Sequence, residues 1–92
     1  MRKLIRTDGT EQELVGPVSM QDVEKMIGAD GLDTVQLRHL GQPLHVMLVD
    51  DLALSARKPV NLKATELYQA NCLPGTTFQI QGDVVIVPDE DY

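Results

Sequence analysis

Ninety-two residues, 42% apolar and 24% charged, make one small domain with a thin core, and exclude a second folded domain or a large multi-part enzyme. Fourteen acidic against eight basic residues give a net charge of −6, which argues against nonspecific binding to a phosphate backbone. The aromatic residues Tyr68, Phe78 and Tyr92 are too scattered for a base-stacking platform, and the single cysteine, Cys72, excludes an internal disulfide. No apolar run approaches a membrane span, and Met1–Arg6 meets Asp8-Gly9 before a signal-peptide core can form, so a cytoplasmic location is expected.

Residues 2–7 and 10–15 flank Asp8-Gly9, a dipeptide that favours a two-residue hairpin turn. That turn sets Arg6 opposite Glu11 as a charge pair and Leu4 opposite Glu13 as a poor one. Gly16-Pro17 ends the hairpin. Ser19 through Asp22 has the form of a capping box. Met20, Val23, Met26 and Ile27 follow at helical spacing and Gly28 supplies a left-handed stop, which predicts a helix over 20–27.

Residues 34–39 and 44–49 bracket Leu40-Gly41-Gln42-Pro43, and pairing His39 with Leu44 gathers Val35, Leu37, Leu44, Val46 and Leu48 on one face. Met47 and Val49 then point the other way. The Asp50–Pro59 stretch reads as an irregular connection. Asn61 caps a second helix with Ala64, Leu67, Tyr68 and Asn71 on one side, and Pro74-Gly75 stops it. A last hairpin is predicted over 77–81 and 84–87 around Gly82-Asp83, with Phe78, Ile80, Val85 and Val87 inward and Val84 and Ile86 outward. The expected order is ββ-α-ββ-α-ββ. Helices falling between hairpins predict an α+β fold, an antiparallel sheet of about three hairpins with two short helices on one side; a partly closed barrel is the alternative. The domain spans 1–88, and 89–92 form an acidic tail.

Little in this pattern carries chemistry. On the expected register His39 and His45 lie on opposite sheet faces and cannot share a metal ion, so no metal site is expected. Cys72 follows a helix C-terminus, where the partial negative charge disfavours a thiolate. No phosphate loop, CxxC pair, HExxH or GxSxG occurs, and neither catalysis nor a cofactor is expected. Arg57, Lys58 and Lys63 surround the helix start at Asn61 and form a candidate anion-binding group. Met47 and Val49 with Val84 and Ile86 make an apolar set that either seats a partner or a second copy of the chain, or is covered by the first hairpin or by 52–58.

Pro59 through Tyr68, together with Gly75 and Ile80-Gln81-Gly82-Asp83-Val84-Val85-Ile86, resembles a family of small proteins from phages and other mobile elements. The resemblance covers most of the chain apart from Asp50–Lys58. It implies a binding role, some such proteins being inhibitors of host defence of the anti-CRISPR kind, and it carries over no catalytic residue. The expected function is therefore a non-catalytic binding protein in the cytoplasm of a bacterial host. It would dock an acidic surface on a protein partner with a basic surface, such as a CRISPR effector complex, without contacting nucleic acid or membrane itself. The candidate docking residues are Glu11, Glu13, Asp30, Asp33, Asp50, Asp51 and the tail residues Asp89, Glu90 and Asp91, because hairpin tips and loops expose them. The alternative is a nucleotide- or phosphate-binding module built on Arg57, Lys58, Asn61 and Lys63.

Overall fold

In the computed structural model, which describes residues 2–16, 18–37, 45–52, 57–70 and 79–88, the elements run β1 (Lys3–Ile5), β2 (Glu11–Glu13), α1 (Met20–Ile27), β3 (Leu32–Leu37), β4 (His45–Asp50), α2 (Leu62–Ala70) and β5 (Val84–Pro88). The strands form one antiparallel sheet in the order β2-β1-β5-β4-β3. The α+β expectation holds. The last strand lies in the middle of the sheet, where β1 and β4 both pair with it, and β2 and β3 are the edges.

The centre of the sheet is apolar on both faces. Leu4, Val46, Leu48, Val85 and Val87 pack with Val23 and Ile27 of α1 on one side. On the other, Ile5, Met47, Val84 and Ile86 pack with Ala64 of α2 and with Ile80. A sheet with two apolar faces needs a cover on each, so the helices lie on opposite faces, and not together as the hairpin count suggested. The same fact decides between the two readings of the apolar set. Met47, Val84 and Ile86 are buried under α2, so the set is covered by that helix and offers no seat for a partner or a second copy. Each fully buried aliphatic side chain contributes about 1.5–3 kcal/mol.

Local chemistry explains α1. The Ser19 hydroxyl accepts from the Asp22 N–H at 3.1 Å, and Gly28 takes the left-handed conformation at φ 66°. The Ala29 N–H then donates to Glu24 O at 2.9 Å, closing the helix C-terminus. Eight residues do not hold a helix in water alone; burial of Val23 and Ile27 against the sheet does.

Both predicted registers move by one residue. In the first hairpin Thr7-Asp8-Gly9 form a three-residue turn: Gly9, at φ 91°, donates to Arg6 O at 3.0 Å, and Arg6 donates to Thr10 O at 2.9 Å. Lys3 now faces Glu13, Leu4 faces Gln12 and Ile5 faces Glu11. Leu4 thus no longer faces Glu13, and its burial comes from pairing with Val85 and packing under α1. In the second hairpin Leu37 faces His45 and Val35 faces Met47. The pattern could not select here because both rows of β4 are apolar, so a slip exchanges one buried row for another.

Among the described residues the predicted third hairpin is not formed. Residues 79–81 make no ladder with β5; Gln81 forms an isolated bridge with Val60, and Ile80 packs on the face of Val84 and Ile86, not with Val85 and Val87. Phe78, the Leu40–Pro43 turn and the Pro74-Gly75 stop lie outside the described residues.

Candidate functional site

The segment from Arg57 to Asn61 carries the chain from the α1 face of the sheet to the α2 face, and most of the candidate anion-binding residues lie on it. Asn61 is fully buried. Its backbone N–H donates to Ile80 O at 2.8 Å, and its side-chain oxygen caps α2 by accepting from the Ala64 N–H at 3.1 Å. The side-chain amide donates at 3.0 Å to both Ile5 O and Gly82 O, which joins the end of β1 to the turn before β5. Thr65 extends this junction, since its hydroxyl accepts from the Ile80 N–H at 2.9 Å. The sequence identified Asn61 as a cap; nothing in it signalled the reach to Ile5 and Gly82, because those partners lie far away along the chain.

Lys58 is equally committed. It forms an ion pair with Asp50, and its ammonium also donates to Ile27 O at 3.2 Å and Gly28 O at 3.0 Å at the C-terminus of α1. A cation there complements the negative end of the helix dipole. Asp50 is buried, not exposed on a loop as expected, because it ends β4 on the α1 face opposite Leu32. Burial raises the pKa of its carboxyl, but the hydrogen bond from Lys58 and the Leu52 N–H outweigh it and hold the pKa below the ordinary value. A depressed folded-state pKa gives stability that is present above the unfolded value near pH 4 and lost as pH falls through the folded one. Asp50→Asn should therefore cost about 2 kcal/mol at neutral pH. Urea midpoints measured against pH should show the gap to the parent narrowing as pH falls from about 5 to below the ordinary carboxylate pKa near 4. A gap that is constant across that range would contradict the ion pair's contribution.

Lys63 sits on α2 and reaches the first hairpin. Glu11 lies between two ammonium groups, with Lys3 at 2.8 Å and Lys63 at 3.0 Å. Their hydrogen bonds, Lys3 first, lower its carboxyl to about 2. Glu11 is therefore neutralised by the protein's own cations and is not free to attract a partner, while Arg6 bonds Gln12 and not the expected Glu11. Arg57 is exposed, with a left-handed φ of 55° that is unusual for a side chain of its kind. The four candidate anion-binding residues are thus differently engaged: Asn61 is buried, Lys58 and Lys63 are paired with carboxylates, and Arg57 is exposed. They form no cradle.

The acidic residues sort by sheet edge. Glu13 is exposed on β2. Asp30, Asp33 and Asp51 are exposed at the opposite edge, within two residues of where Gly31 meets Asp51: the Asp51 N–H donates to Gly31 O at 3.3 Å, and its carboxylate lies where a side chain on residue 31 would begin. Four interstrand steps of about 4.8 Å separate the two edges, roughly 19 Å, so the acids do not make one surface. No ion pair among the described residues involves Asp30, Asp33 or Asp51. Asp33 uses one oxygen to accept from the Thr34 N–H at 2.8 Å, which leaves the other toward solvent. Asp89, Glu90, Asp91, His39 and Cys72 lie outside the described residues, and His45 faces Leu37, not Arg38 as expected. Among the described residues no group of His, Cys, Asp or Glu could hold a metal ion, and no helix is long and apolar enough to cross a membrane.

These features define a class by architecture: an all-antiparallel α+β protein with its last strand central, a helix on each face, and an acidic corner at one sheet edge. No protein-family model matches the chain, and no curated protein or solved structure is significantly similar to it.

Proposed function

We propose that this is a non-catalytic binding protein that docks through the acidic corner of Asp30, Asp33 and Asp51 on a protein partner with a basic surface. The supporting observation is that these three exposed acids lie within two residues of the Gly31–Asp51 backbone contact, with no ion pair among the described residues to neutralise them. Two other acids are held within the fold: Asp50 by Lys58, and Glu11 by Lys3 and Lys63. A rigid sheet edge holds the corner in place, and fixed like charge steers a cationic partner and sets its orientation. The resemblance to phage and mobile-element proteins extends the reading to a bacterial cytoplasm and to a nucleic-acid-handling complex of the CRISPR effector kind, with the protein and not the nucleic acid as the contact. The phosphate-binding alternative loses its support, since Asn61, Lys58 and Lys63 are engaged within the fold.

The test is a binding titration against a panel of purified effector complexes at low and high salt. The triple charge reversal of Asp30, Asp33 and Asp51 to Lys should weaken binding at least about tenfold, because like charges face each other across the interface. Glu13→Lys, on the far edge, should leave it unchanged. Equal binding by the triple variant, or no response to salt, would overturn the reading.

A further inference from the structure

The turn between β1 and β2 joins a chemically reactive dipeptide to a set of hydrogen bonds that restrain it. In an Asp-Gly sequence the glycine has no side chain to obstruct its backbone nitrogen. That nitrogen can attack the aspartate Cγ: an N–Cγ bond forms, a Cγ–O bond breaks, and one water leaves with the amide proton and the carboxyl hydroxyl. Water then adds back to the succinimide at either carbonyl, restoring aspartate or leaving isoaspartate, with no change in oxidation state. Asp8 is exposed, so water has access at both stages.

Three contacts oppose this chemistry in the folded protein. Asp8 Oδ1 accepts from the Thr10 N–H at 2.9 Å and from the Thr10 hydroxyl at 2.6 Å. The attacking nitrogen of Gly9 donates to Arg6 O at 3.0 Å. The carboxyl is thereby turned toward Thr10, and the nitrogen is held in the turn. Hydrogen bonds from Thr10 also hold the carboxyl below its usual pKa, and the ionised form is the poorer electrophile.

We propose that Asp8–Gly9 is a latent isoaspartyl modification site that the Thr10 hydroxyl keeps closed. Opening the turn releases the carboxyl, and isomerisation then inserts an extra methylene into the backbone between β1 and β2. The product is the substrate class of isoaspartyl carboxyl methyltransferases, which transfer a methyl group from S-adenosylmethionine to the new α-carboxylate.

The experiment ages the full chain at 37 °C and mildly acidic pH, then counts isoaspartate at residue 8 by enzymatic methylation with labelled S-adenosylmethionine and by peptide mapping. Thr10→Val keeps the backbone contact and loses the hydroxyl bond. It should accumulate isoaspartate roughly tenfold faster than the parent, the ratio expected from one hydrogen bond to a charged group. Thr10→Ser should match the parent, and the parent aged in urea should be faster than the folded chain. Equal rates for Thr10→Val and the parent, or for folded and urea-unfolded chains, would overturn the proposal.

Discussion

An Asn61→Asp variant should be unfolded, or nearly so, at neutral pH. The substitution keeps the oxygen that caps α2 and changes only the donor side of the group. Where an amide donates to Ile5 O and Gly82 O, a carboxylate oxygen would face both carbonyls in a fully buried site. Each buried acceptor left without its donor costs about 1–3 kcal/mol, and an unpaired buried charge adds several more. Against a total stability of about 5–14 kcal/mol for a chain of this length, the loss is most or all of it. The pH dependence makes the test specific. Burial raises the folded pKa of an acid at this position above its unfolded value, so the penalty grows as pH rises above about 4. Urea titrations followed by circular dichroism should therefore show the gap to the parent narrowing by up to about 1.4 kcal/mol per unit from pH 7 to pH 5. Asn61→Leu should be comparably unstable with no such dependence. A penalty for Asn61→Asp that is equal at both pH values would contradict the buried donor.

Val85→Asp should abolish cooperative folding. Val85 has no exposed surface, pairs with Leu4 of β1 on one side and Leu48 of β4 on the other, and packs under α1. No other strand joins β1 to β4, so a charge at this position disrupts both halves of the sheet together. The milder Val85→Ala should cost about 2–3 kcal/mol through lost methyl groups and the cavity they leave. Met47→Ala, on the opposite face, should cost about 2–5 kcal/mol. Circular dichroism and urea unfolding read all three; a cooperative transition in Val85→Asp near the parent midpoint would contradict the central place of β5. Because β1 waits for the last strand, long-range pairing should also dominate the folding rate.

The legible parts of the chain were those whose physics is local. Ser19, the spacing of Val23 and Ile27, and Gly28 specify α1 to the residue, and Asn61 marks the start of α2. The hairpin at Asp8-Gly9 was visible but its register was not, since the dipeptide suits both a two-residue turn and a three-residue one with Gly9 left-handed. The strands misread were those buried on both sides. Continuous apolar runs at Val46–Val49 and Val84–Val87 signal two-sided burial, and treating them as alternating put Met47, Val84 and Ile86 outside. Asp50 was misplaced for a related reason: its position at a strand end suggested solvent, while its partner Lys58 became visible only once α1 was in place.

By itself, then, the sequence determined the helices and their caps, the position of all five described strands to within two residues, the fold class and the acidic balance. The tertiary structure decided the strand order, the assignment of one helix to each face, and the division of the charge. Capping, helical periodicity and turn chemistry act over a few residues and leave their mark on adjacent letters. Strand partners and ion pairs join residues far apart along the chain, and a −6 balance does not say which carboxylates meet a cation. Folding neutralises Asp50 with Lys58 and Glu11 with Lys3 and Lys63, and leaves Asp30, Asp33 and Asp51 together at one edge.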